Sequence, residues 1–173
     1  LEALAGHKGS AFGNLGLPEQ SSTEQFENKL AKQLYHLMQN PFTKRIWVES
    51  ESNRIGNINI HHTFFNQMKQ APCLQIALPL DKRTEKIVAE YGSFSKEDLI
   101  AAVLRIQKRL GPLETKQTVS FLELGAIRQA FEILLQYYDK FYQKSDTFLA
   151  PYLHVDLPTN DAEQNAQIIL EKL

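Results

Sequence analysis

From Ser95 to Tyr138 the apolar residues keep a helical period, and no other feature limits the possible folds of this chain as strongly. Leu99, Val103, Leu104, Ile106 and Leu110 form one stripe that stops at Gly111-Pro112. A second helix is expected over Thr115 to Leu124. After Gly125, the positions Ile127, Ala130, Phe131, Leu134, Leu135 and Tyr138 give the clearest period in the chain, so these segments predict a helical hairpin. Ahead of it the pattern differs. Arg45 to Val48 and Cys73 to Leu80 are short continuous apolar runs that read as buried strands. Ile58, Ile60, Phe64, Phe65 and Met68 between them suggest a loop and a short helix. Asp81 to Tyr91 reads as a helix capped by Asp81 and ended by Gly92. Ser22 and Gln25 have capping-box spacing before a stripe of Phe26, Leu30, Leu34 and Leu37. With a late strand at Tyr152 to Leu157 and a closing helix over Asp161 to Leu173, the order is that of an α/β protein.

The chain has 173 residues, 43% of them hydrophobic and 23% charged, enough for a real core and unlike collagen, a coiled coil or a disordered segment. Nineteen Lys plus Arg against twenty Asp plus Glu leave no bulk cationic field, so any polyanion site must be a local patch. The single cysteine, Cys73, excludes an internal disulfide and a cysteine-rich zinc site and points to a cytoplasmic setting; inside an apolar strand it is inert core rather than a nucleophile. No apolar run approaches the roughly eighteen residues of a membrane span, so no membrane role is expected. No metal site is expected either, because His61 and His62 are adjacent and no H-x-x-x-H occurs. The start, LEALAGHKGS, lacks an initiator Met and reads as part of a longer polypeptide.

Three stretches can carry chemistry, and each has a plainer alternative. Residues 6 to 21 hold Gly6, Gly9, Gly13 and Gly16, half of the eight glycines, with His7, Lys8 and Ser10 among them. Freed backbone N–H groups beside an imidazole, an ammonium and a hydroxyl suit phosphate capture; the same composition makes surface turns. Glu49 and Glu51 follow an expected strand end, where α/β sheets place ligand sites. There either can act as a base or orient a magnesium-bound water, with Arg54 clamping an anion, or they are a solvated exit. Arg105, Lys108, Arg109 and Lys116 can meet RNA phosphates or simply complement a helix dipole. Tyr137, Tyr138 and Tyr142 can stack on bases, Tyr138 reading better as core.

The segments AGHKGSAFGNLGLPEQSSTEQFEN, WVESESNRIGNI, LPLDKRTEKIVAEYG, RLGPLETK and QYYDKFY, in this order, resemble the C-terminal module of bacterial tRNA 2-selenouridine synthase over nearly the whole chain. That family joins a rhodanese-like domain bearing a catalytic cysteine to a P-loop module similar to nucleotide kinases. The resemblance therefore implies a partial P-loop-kinase-like parallel sheet flanked by helices, with residues 1–94 and 150–173 as α/β core and 95–149 as a helical extension. It implies conversion of wobble 2-thiouridine in tRNA to 2-selenouridine through a geranylated thiouridine. Selenophosphate and geranyl diphosphate would be the co-substrates, with no built-in cofactor, and tRNA and the rhodanese-like domain the partners.

Two departures stand out: the pattern G-x-x-x-x-G-K-[ST] occurs nowhere, and the rhodanese-like domain is absent, so this chain alone is expected to be inactive. Carried over by matching segment, His7, Lys8, Gly9 and Ser10 would face phosphates or tRNA, with Glu49, Glu51, Ser52 and Arg54 as the opposite wall. Arg83 would close on phosphates as part of a lid, and Arg105, Lys108, Arg109 and Lys116 would contact tRNA. The rival class is a non-catalytic tRNA-binding or scaffolding module. A small-molecule P-loop kinase is a third option, which the surplus helical hairpin disfavours.

Overall fold

The computed structural model describes residues 1–144 and 153–173, and the chain packs as two compact units, Leu1–Ala71 and Pro72–Leu173. Residues 145–152 lie outside the described part, and with them Tyr152 of the expected late strand and the junction near 149–150.

The first unit opens with a single helical turn, α1 (Glu2–Ala5), which Gly6 closes in the left-handed conformation. The glycine-rich stretch follows as a series of turns. Helix α2 (Thr23–Gln39) starts where the capping signal placed it, with the Gln25 N–H donating to Ser22 Oγ at 3.2 Å. It buries Phe26 completely, and its last turns leave Tyr35 and Met38 exposed. Strands β1 (Arg54–Ile55) and β2 (Ile58–Asn59) make a small antiparallel hairpin whose turn has Gly56 at φ 59°. Helix α3 (His62–Gln70) completes the unit. Phe26, Ile55, Ile58, Ile60 and Met68 form its core with Leu1 and Ala5. Gln20 ties the parts together: its Nε2 donates to the carbonyls of Ala5 and Ile55, and its Oε1 accepts from Asn57 N at 2.8 Å.

One expected strand is absent. Arg45–Val48 has no regular structure, and Trp47 is 55% exposed. A continuous apolar run forms a buried strand only when neighbouring strands cover it, and among the described residues none pairs with this one. The hairpin at 54–59 has no mark in the sequence, because strands of two residues are too short to show alternation.

In the second unit β3 (Leu74–Ala77), shorter than the predicted run, pairs in parallel with β4 (Leu153–Asp156), Leu74 opposite Leu153 and Ala77 opposite Asp156. The described strands thus form two separate two-stranded sheets rather than one parallel sheet. Pro79 occupies the N-cap position of helix α4 (Leu80–Tyr91) without a side-chain cap; Asp81, expected as the cap, sits inside the first turn, where its charge complements the dipole. Helices α5 (Lys96–Leu110), α6 (Pro112–Glu123) and α7 (Ile127–Lys144) realise the long helical period, with Pro112 starting α6 three residues earlier than expected. α5 packs on α6, α6 on α7, and α4 on α7, where the Tyr91 and Phe131 rings lie 6.0 Å apart. Leu99, Val103, Leu122, Phe131 and Leu134 are buried. Helix α8 (Ala162–Glu171) closes the chain behind its Asp161 cap. The result is an α/β protein with eight helices and one small parallel pair among the described residues.

Candidate functional site

In the first unit the glycine-rich turns and the segment after Val48 come together. Gly9 has φ +67°, and a Cβ there would lie 2.8 Å from Glu51 Oε1 and 3.2 Å from Glu2 Oε1, so only glycine fits both the turn and the carboxyl groups beside it. The α-amino group of Leu1 lies 2.7 Å from Glu49 Oε2. The His7 ring is held between two further glycines: a Cβ at Gly13 or at Gly56 would approach it to 2.7 Å. The turn in the hairpin and the turns of the loop are therefore both shaped around one imidazole.

Electrostatics in this cluster is dominated by carboxyl groups. Glu51 is half-buried, and desolvation, the hydrogen bond to Glu2, and the charges of Glu2 and Glu49 push its carboxyl up to about 7. Glu49 lies beside the Leu1 nitrogen, and its charge adds to that of Glu2 in disfavouring ionisation of Glu51.

The other predicted binding residues of this unit are occupied locally. His7 Nδ1 accepts from Gly9 N at 3.1 Å, Ser10 Oγ accepts from Phe12 N at 3.2 Å, and the Lys8 N–H donates to the Gly13 carbonyl. Ser52 Oγ donates to the Arg54 carbonyl at 2.7 Å, and Arg54 Nε donates to the Gly56 carbonyl at 2.9 Å. These contacts fix the turns that carry the acids. No group of three or more His, Cys, Asp or Glu among the described residues is arranged to hold a metal ion.

In the second unit Arg83 makes a two-pronged pair with Asp139, Nη1 to Oδ1 at 2.5 Å and Nη2 to Oδ2 at 2.9 Å, joining α4 to α7. That hydrogen bond, against some burial, raises the pKa of the guanidinium. Arg105, Lys108 and Arg109 lie exposed on α5 and Lys116 on α6. Arg109 borders a groove of about 530 Å³ that also reaches α6 and α7. A second hollow, about 660 Å³, lies at the carboxyl ends of β3 and β4 between Ala77, Pro79, Asp156 and Ile168. Sequence reasoning missed Glu2, Gln20 and Asp139. Glu2 is masked by the helical look of LEALA, and the other two act on partners dozens of residues away.

Comparison with known proteins adds a family. Residues 1–149 match the family described as the tRNA 2-selenouridine synthase AAA domain. The tRNA 2-selenouridine synthase of Nitrosomonas europaea is 34% identical over 133 residues, which cover 76% of this chain and 33% of the relative. Those of Chromohalobacter salexigens and Bdellovibrio bacteriovorus are 33% and 30% identical, covering 83% and 80% of this chain and 46% of each relative. The chain spans a third to nearly half of the length of these relatives. No solved structure matches it.

Proposed function

The chain belongs to the tRNA 2-selenouridine synthase family, and on that premise we propose that it supplies part of the substrate pocket of a transferase acting on the wobble 2-thiouridine of tRNA. The observation that carries the reading is the Glu51 carboxyl, half-buried against Glu2 and Gly9 and poised to exchange a proton near neutral pH.

In the first step the thiocarbonyl sulfur attacks the allylic carbon of geranyl diphosphate. A C–S bond forms, the C–O bond to diphosphate breaks, and the proton on the neighbouring ring nitrogen must leave. Glu51, ionised, takes that proton, and once protonated it no longer repels the departing diphosphate. The Lys8 and Arg54 cations and the Ser10 hydroxyl would neutralise the departing diphosphate, with Ser52 fixing the backbone of Arg54 and His7 holding the turn at Gly9. Arg83 is the phosphate contact of the second unit once it exchanges Asp139 for an anion. The selenium of selenophosphate then adds at the same ring carbon, the C–S bond breaks and the sulfur leaves with a proton as geranyl thiol, and water cleaves the P–Se bond to release phosphate and leave the selenouridine. Arg105, Lys108, Arg109 and Lys116 hold the tRNA backbone, and the rhodanese-like domain is the partner within the same polypeptide. No helix among the described residues is long and apolar enough to cross a membrane.

Glu51→Gln in the whole protein tests this: kcat for geranylated thiouridine should fall about 100-fold or more with little change in tRNA affinity. A wild-type nucleoside profile refutes it. A second reading, a tRNA-holding module without chemistry, is favoured by one observation, the local use of the His7, Ser10 and Ser52 polar atoms. It requires turnover at saturating tRNA to survive substitution at both Glu49 and Glu51.

A further inference from the structure

The groove where α5, α6 and α7 meet has a composition that the tRNA-backbone contacts do not account for. Tyr137 and Phe141 stand one helical turn apart on α7 and their rings stack, 6.4 Å between centroids and 30° between planes. Phe141 is 41% exposed, a large cost in unburied apolar surface for a helix whose other face fills the core so well. Two amide side chains, Gln117 from α6 and Gln136 from α7, line the same groove. Arg109 closes one side and Lys140 lies beside Phe141; neither is in an ion pair within the groove among the described residues. Glu114 is the one acid there.

Each of these parts matches one part of a nucleotide. An aromatic face accepts any base by stacking, amides reach the donor and acceptor edge of a base pulled out of its stack, and a cation on either side meets the flanking phosphates. Glu114 can accept from an exocyclic amine. A duplex cannot use the groove, because its bases are stacked inward and an A-form helix shows side chains only its backbone and shallow groove. An apolar peptide would leave Arg109, Lys140 and both amides without partners.

We infer that this groove holds one unpaired nucleotide of the RNA substrate, its base on Tyr137 and Phe141 and its flanking phosphates on Arg109 and Lys140. The inference rests on the reading of the chain as acting on tRNA and adds to it a site for a single-stranded base.

The test is fluorescence anisotropy of the whole protein with two labelled RNAs, a stem-loop with an unpaired loop and a blunt duplex of equal length. The stem-loop should bind more tightly. Phe141→Leu and Tyr137→Leu should each weaken the stem-loop about tenfold or more and leave the duplex nearly unchanged, whereas Tyr137→Phe, which keeps the ring, should bind as wild type. Arg109→Ala with Lys140→Ala should reduce the slope of log affinity against log salt by about 1.4 for the stem-loop. Melting curves of the exposed-site variants Phe141→Leu and Arg109→Ala verify that folding is kept. If both leucine variants bind the stem-loop within about twofold of wild type, the groove inference fails while RNA binding itself stands. If wild type binds neither RNA, the tRNA reading fails with it.

Discussion

Replacing Glu51 by glutamine should make the first unit more stable at alkaline pH. In the folded chain the Glu51 carboxyl ionises near 7 against 4.5 in its ordinary state, so between these values the folded form holds a proton that the unfolded form has released. Stability must therefore fall as pH rises from about 4.5 through about 7, and the loss is complete above that. Fully shielded, the displacement corresponds to roughly 3 kcal/mol. Glu51 is only half-buried, and screening by solvent reduces the figure to about 1–2 kcal/mol. Glutamine carries no charge and can donate to the Glu2 carboxylate, so Glu51→Gln should lie close to wild type near pH 4.5 and exceed it by about 1–2 kcal/mol at pH 8.5, several degrees in Tm for a unit of this size. Trp47, the one tryptophan, lies in this unit, and its fluorescence in urea follows the transition. The difference between variant and wild type cancels histidine titration common to both. Parallel pH profiles, or a variant less stable than wild type at pH 8.5, would refute the shared-proton reasoning.

Two further outcomes follow from single side chains. Gln20→Ala strips partners from the Ala5 and Ile55 carbonyls and the Asn57 N–H, and should destabilise the first unit by about 2–3 kcal/mol, read by Trp47 fluorescence in urea. Asp139→Ala leaves the Arg83 guanidinium unpaired between α4 and α7 and should lower the stability of the second unit by about 1–2 kcal/mol at low salt, with a smaller effect at high salt in thermal melts followed by circular dichroism.

The helices were legible because their signals are local. Ser22, Ser95 and Asp161 cap the helices they precede, and Gly111-Pro112 and Gly125 separate α5, α6 and α7 as their backbone preferences require. The strands were less so. Arg45–Val48 and Cys73–Leu80 look alike by composition, yet only the second contains a strand, because Leu74–Ala77 has β4 to pair with and Arg45–Val48 has no partner among the described residues. Pairing is a property of two distant segments, and an apolar run records only one of them.

The site shows the same division between residue type and partner. Glycine, histidine, lysine and serine in four consecutive positions suit an anion, and they equally suit a turn that consumes its own donors; His7 Nδ1 and Ser10 Oγ do the latter. Three carboxyl groups, those of Glu2, Glu49 and Glu51, determine the charge that the turn faces, and a dianionic phosphate set directly against them would meet repulsion unless Glu51 were protonated. Exchange of the Glu51 proton near neutral pH therefore serves both roles, the ionised form taking a proton and the protonated form tolerating the anion. It makes anion binding at Gly9 and proton uptake at Glu51 the same equilibrium, so diphosphate affinity at this turn should weaken as pH climbs past 7, and Glu51→Gln should remove that dependence while keeping the site's neutral, low-pH affinity.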